Sequence, residues 1–171
     1  MARAIAALLL LTLPACTTTI TPTDSACAMS AADRAWLGAA LEQWRKAETG
    51  DLGLALRPLP NVVAVDRACT YLLPQGGFAG MTAQPHGETA VMPDGHDVPI
   101  GPISFASGEG GYFAMSLPSV WREAGVDPGP FGLETLMTGV LLHEMMHIRQ
   151  VAVAAQARPE RRSGPASPTT S

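Results

Sequence analysis

LETLMTGVLLHEMMHIRQVAVAA, residues 133–155, is the longest stretch of the chain with helical periodicity. Leu136, Met137, Val140, Leu141, Met145 and Ile148 recur at helical spacing and leave little polar surface, which predicts a largely buried helix. Such a helix needs a sheet or further helices against it. Just upstream, Gly108-Glu109-Gly110-Gly111 is a turn signal, and Tyr112–Leu117 (YFAMSL) after it predicts a strand. Pro118 then opens a short helical stretch containing Trp121. Residues 74–111 hold nine Gly and five Pro in 38 positions and predict loops and short strands. Within them Val98–Ala106 (VPIGPISFA) reads as a short strand, edge-like because of its prolines. Asn61–Leu73 (NVVAVDRACTYLL) is β-branched and apolar and reads as one strand.

At the N-terminal end of this set, Ser30 followed by Asp33 resembles a capping box with Asp in place of Glu or Gln. From there to Glu48, Leu37, Leu41 and Trp44 recur at helical spacing beside Trp36 and Ala40. Asp33, Arg34, Glu42, Arg45 and Lys46 take the other face, and Gly50 ends the run. Both tryptophans read as core. The expected class is α+β: an N-terminal helix, a small mixed sheet from residues 61–73, 98–106 and 112–117, and the buried helix packed on it. The domain is expected over residues 30–156, with a disordered tail, ARPERRSGPASPTTS, over 157–171.

The long helix carries His143-Glu144-Met145-Met146-His147, an H-E-x-x-H pattern. Four residues is slightly more than one turn, so the two imidazoles share a face and can bind one metal ion. Glu144 sits one step round, within reach of a water on that ion. Zinc lowers such a water's pKa toward about 7, and a carboxylate can take its proton as it attacks a peptide carbonyl. With four His and eight Glu in the chain, random order would give about 0.004 such motifs. Burying the three polar groups without a partner would be costly; the plainer alternative is a pair of satisfied core histidines beside a surface Glu. Met145 and Met146 read as core filler. Arg149 and Gln150 read as solvated helix face or local hydrogen bonding.

On these residues, and on ISFA, FAMSLPSVW and LLHEMMHIRQ between Val98 and Gln150, the chain resembles the zincin metallopeptidases, in particular exported bacterial proteins of that type. The resemblance covers about a third of the chain. It implies zinc as cofactor, His143 and His147 as ligands, Glu144 as general base, and a peptide or protein substrate. It further implies that Tyr112–Leu117 pairs with extended substrate, the cleft lying between that strand and the motif helix.

A catalytic zinc site takes three protein ligands and a water. The elongated metzincin motif would place Gly at 150 and His at 153, where this chain has Gln150 and Val153. The remaining candidates are Glu160 in the tail and His86 (QPHGET) and His96 (DGHDVP) in loop sequence. The alternative is a domain cut short, since dense helix gives way to Arg, Pro and Ser within about ten residues. A frameshift or premature end in a GC-rich gene would produce such a junction and leave zinc binding weak and activity low. A non-enzymatic envelope lipoprotein, using a degenerate zincin fold for binding or scaffolding, is the competing function.

Met1–Cys16 (MARAIAALLLLTLPAC) has one Arg, an apolar run from Ile5 to Leu13 and a small-residue end. Nine apolar positions fall short of the roughly 20 a membrane-spanning helix needs, so residues 1–15 read as a signal peptide. The ending resembles a bacterial lipobox, with Pro14 where a small residue is usual. It implies lipidation of Cys16, a membrane anchor, and a tether over 16–29 that leaves the domain facing the periplasm. An ordinary secretory signal is the alternative. If Cys16 carries lipid, Cys27 and Cys69 remain and can pair in an oxidising compartment, or else stay as two buried thiols. Cys16–Ala152 carries 7 basic against 14 acidic residues, which argues against a nucleic-acid partner.

Overall fold

The computed structural model describes residues 27–52, 58–108 and 111–157. The expected signal peptide, Cys16, most of the expected tether, and Glu160 with the expected tail after Ala157 lie outside them. Among the described residues the architecture is α+β: a five-stranded mixed sheet in the order β3-β2-β1-β7-β6, a two-stranded sheet of β4 and β5, and three α-helices.

The sheet grows from Asn61–Leu73, and here the sequence reading is corrected. It forms two strands, β1 (Asn61–Val65) and β2 (Cys69–Leu73), joined as an antiparallel hairpin. Asp66 makes the break. Its Oδ1 accepts from the backbone N–H groups of Ala68 and Cys69, an Asx-type turn that closes the hairpin inside an otherwise β-branched run. The other carboxylate oxygen accepts from the Tyr71 hydroxyl at 2.6 Å. Burial and that bond push the Tyr71 phenol above its usual range.

Val98–Ala106 is likewise divided, into β5 (Asp97–Pro99) and β6 (Ser104–Ser107), which belong to different sheets. Gly101 and Pro102 form the bend between them, and the Ser116 hydroxyl donates to the Gly101 carbonyl. The Gly/Pro-rich segment also supplies β3 (Thr82–Pro85) and β4 (Thr89–Val91). The predicted strand at Tyr112 is β7 (Tyr112–Ser116), parallel to β1 and antiparallel to β6.

Alternation along β1 explains its buried position. Val62 and Ala64 face one layer and Val63 and Val65 the other, all at most 1% exposed. The first layer is the main core, with Trp36, Leu37, Leu41 and Trp44 of α1 (Ala31–Lys46) and Met137, Leu141 and Met145 of α3 (Leu133–Ala157). The second is smaller and is covered by the β4–β5 hairpin through Ala90 and Met92, with Val98 packed against them. In that layer burial, then a hydrogen bond to Asp94, raises the Tyr112 phenol to about 12.

Ser30 caps α1 as expected, its hydroxyl accepting from the Asp33 N–H and donating to the Asp33 carboxylate. Asp33, however, is buried rather than on the solvated face. Its second oxygen accepts from Ser119 N at the start of α2 (Pro118–Glu123). After Lys46 the backbone widens into a π-helical turn, Ala47–Asp51, which turns Glu48 fully inward. Glu48 meets Arg149 of α3 at 2.5 Å, a long-range buried ion pair where the sequence suggested solvated helix face or local hydrogen bonding for Arg149. Cys27 and Cys69 form a disulfide that ties the entry of α1 to β2.

Candidate functional site

α3 is the element that carries the candidate site, and its burial is the main correction to the sequence reading. Leu133, Met137, Leu141 and Met145 form one buried stripe against the sheet and α1. The opposite side is open: His143 and His147 are exposed, and Leu136 is 39% exposed. The expected cost of burying the two histidines does not arise, so the motif draws no support from it.

The geometry of the histidine pair is specific all the same. His143 and His147 sit one turn apart with ring planes 89° to each other and centroids 4.6 Å apart. Their Nε2 atoms converge to 3.0 Å. A tetrahedral ion about 2.0–2.1 Å from each nitrogen would ask for roughly 3.3 Å between them, so a small ring rotation suffices. His147 Nδ1 lies 3.2 Å from Gln150 Oε1. With Nδ1–H donating to that oxygen, Nε2 keeps its lone pair for a metal. Gln150 was read from sequence as solvated helix face or local hydrogen bonding, and the structure shows the local bond; its spacing of three residues from His147 on a helix is what brings the two together.

Glu144 is half-buried beside His143 at the end of a groove of about 660 Å³. Asp127–Phe131 form one wall, and Leu136, Gly139 and Val140 of α3 form the floor. Phe131, 80% exposed, stands at its rim. The Pro128-Gly129-Pro130-Phe131 turn that builds the wall carried a readable cue, a large aromatic among turn residues, that the sequence analysis passed over.

No protein-family model, curated protein or solved structure matches the chain.

The other candidate ligands stand elsewhere. His86 follows β3 and sets Nδ1 against the Gly87 carbonyl. His96 lies in the β4–β5 turn, paired with Asp94 and largely exposed. Among the described residues no group of three His, Cys, Asp or Glu is placed to hold a metal. The described residues therefore fit a metal through two nitrogens and do not by themselves make a three-ligand catalytic set.

The expected substrate strand is also corrected. β7 is hydrogen-bonded on both sides, to β1 and to β6, and has no edge to offer. The open edge on the α3 side is β6, whose following residue Gly108 abuts Val151 of α3 so closely that a Cβ there would lie 3.2 Å from the valine. Among the described residues no helix is long and apolar enough to cross a membrane.

Proposed function

We propose that this chain is an exported protein of zincin metallopeptidase type, anchored through lipid on Cys16, in which His143 and His147 hold zinc and Glu144 serves as general base. The observation that carries the reading is the convergence of the two imidazole nitrogens to 3.0 Å on the motif helix. Gln150 supports it, as an acceptor for the outer nitrogen of His147. When bound, zinc supplies Lewis acidity toward a peptide carbonyl. On this reading Glu144, which lines the groove, would take a proton on its carboxylate and return it to the leaving amine. Phe131, Leu136 and Val140 offer apolar surface along the approach.

One observation favours a second reading. The ligand set among the described residues stops at two, and two nitrogens hold zinc without closing a hydrolytic site. On this reading the protein is an envelope lipoprotein that uses the fold and its metal for binding or scaffolding.

Zinc content and hydrolysis of a quenched-fluorescence peptide, measured on the purified protein and its Glu144→Gln variant, separate the two. The peptidase reading expects bound zinc in both proteins and a rate about 10²–10⁴-fold lower in the variant. Equal rates, or zinc without hydrolysis in the parent, select the binding role. Loss of palmitate incorporation in Cys16→Ala tests the anchor.

A further inference from the structure

Residues 124–132 (AGVDPGPFG), between α2 and α3, hold a single charged side chain, Asp127, whose carboxylate accepts from the Gly129 N–H at 2.9 Å. Phe131 stands in this segment 80% exposed, and Leu136 and Val140 continue its apolar surface onto α3. The turn is stiff. Pro128 and Pro130 fix two φ angles, and Gly129 and Gly132 take the positive φ that other residues avoid. It therefore holds the ring out at little cost in chain entropy. A lone exposed apolar side chain is ordinary on a protein surface; the placement of this one is not.

The turn shares one end of the molecule with the point where the chain enters the domain. Cys27 is bonded to Cys69 at the start of β2, and Arg67, just before β2, pairs with Glu123 at the end of α2 at 2.7 Å. Asp33 of α1 accepts from Ser119 N of α2, and Trp36 Nε1 of α1 donates to the Glu134 carbonyl in the first turn of α3 at 3.1 Å. The entry of α1, α2 and the Pro128-Gly129-Pro130-Phe131 turn therefore lie together. The break in the described chain between Leu52 and Pro58 opens elsewhere, toward the C-terminal half of α3, where the Pro58 carbonyl accepts from Arg149. Arg67 with Glu123 and Arg122 with Glu134 cancel in charge, which leaves a surface that zwitterionic headgroups accept.

We infer that this end of the domain docks on a zwitterionic phospholipid bilayer, with Phe131 in the boundary between headgroups and acyl chains. The occupant follows from the length of chain before Cys27. With lipid on Cys16, the stretch from Cys16 to Cys27 spans at most about 40 Å, close to the breadth of a domain of this size, roughly 35 Å. The entry end is thus held near the bilayer, and Phe131 with it. One aromatic ring does not hold a free protein, since even a whole acyl chain binds a membrane only marginally. On an anchored chain the same contact is intramolecular, and effective concentration makes a weak contact count. Docked this way, the groove lined by Glu144 has its Phe131 rim at the bilayer.

Docking rests on the lipid anchor of the proposed function and is independent of zinc and of hydrolysis. The full chain, purified with its lipid, carries Phe131→Trp or Val91→Trp and is reconstituted with phosphatidylcholine vesicles, with or without bromine on the acyl chains. Val91, 61% exposed, lies in β4 on the far side of the sheet. An indole there has the same intrinsic preference for the membrane interface and serves as the control. Both positions are exposed, so both variants keep the circular dichroism spectrum of the parent, whose own tryptophans give the background. Flotation with the vesicles reads the anchor, and quenching by bromine reads the depth of the introduced indole. The expected result is flotation of both variants, with most of the added emission quenched at position 131 and none at position 91. Flotation with neither indole quenched leaves the anchor standing and overturns the docking. Equal quenching at the two positions means that no face is chosen, and also overturns it. A folded chain that does not float overturns both the anchor and the docking.

Discussion

The inner and outer faces of α3 both carry large apolar side chains, yet they meet opposite surroundings. Inward, Met137, Leu141 and Met145 are at most 1% exposed and interlock with Trp36 and Trp44 of α1 and with Phe113 of β7. Outward, Leu136 stands in the open beside His143 and His147. Composition marks the helix as apolar without saying which side the core takes. That is decided by where α1 and the sheet lie. The inner face therefore carries stability, and the outer face leaves the two histidines accessible.

The largest effect expected on that division comes from the inner face. Glu48→Ala leaves the Arg149 guanidinium buried without its carboxylate and costs about 3–5 kcal/mol. Urea unfolding of the metal-free protein measures it. A loss below about 1 kcal/mol would mean that the ion pair is solvated and that the inner face ends before Arg149.

Leu141→Ala and Leu136→Ala remove the same atoms from the two faces. The first opens a cavity and costs about 2–5 kcal/mol. The second, on the exposed side, changes stability by about 0.5 kcal/mol or less. Equal losses without metal would erase the distinction between the faces.

On the outer face the expected effect is on metal rather than on folding. Gln150→Leu removes the acceptor for His147 Nδ1 and weakens zinc binding about 10–100-fold, with Gln150→Glu restoring it. Calorimetric titration reads the affinity. An unchanged value in the leucine variant would leave Gln150 with no positioning role.

A smaller effect belongs to the far side of the sheet, where neither face of α3 takes part. The folded chain holds the Tyr112 phenol up at about 12, against about 10 when unfolded. Its contribution is complete below pH 10 and is lost as pH rises toward 12, because folding favours the protonated form. Tyr112→Phe flattens that alkaline decline in a thermal-melt series. A decline of the same slope in the variant would assign it to other groups, among them Tyr71.

What the sequence made legible was local. The His143–His147 pair is an i, i+4 relation on a helix, and helix geometry alone brings the rings together. The Ser30 cap is a three-residue relation and is equally short-ranged. The cysteine pairing was readable as one of two alternatives because setting Cys16 aside leaves two thiols. Burial of Asp33, Glu48 and Arg149 was not legible, since each takes a partner far along the chain: Ser119 for the first, beside its local bond from Ser30, and each other for the second pair. The hairpin inside residues 61–73 was missed because one Asp outweighed twelve neighbours. Asp66 offers its side chain to two successive N–H groups, and that closes a turn that β-propensity had hidden. The outer face of α3 was missed for a related reason, as apolar periodicity reports what can be buried and not what is.

The most direct test of the account is the zinc content of the folded protein after exposure to zinc and exhaustive dialysis, with His147→Ala treated in parallel. Convergent nitrogens 3.0 Å apart predict close to one zinc per chain in the parent and close to none in the variant. A folded parent that emerges without zinc, or a variant that holds as much as the parent, would contradict it.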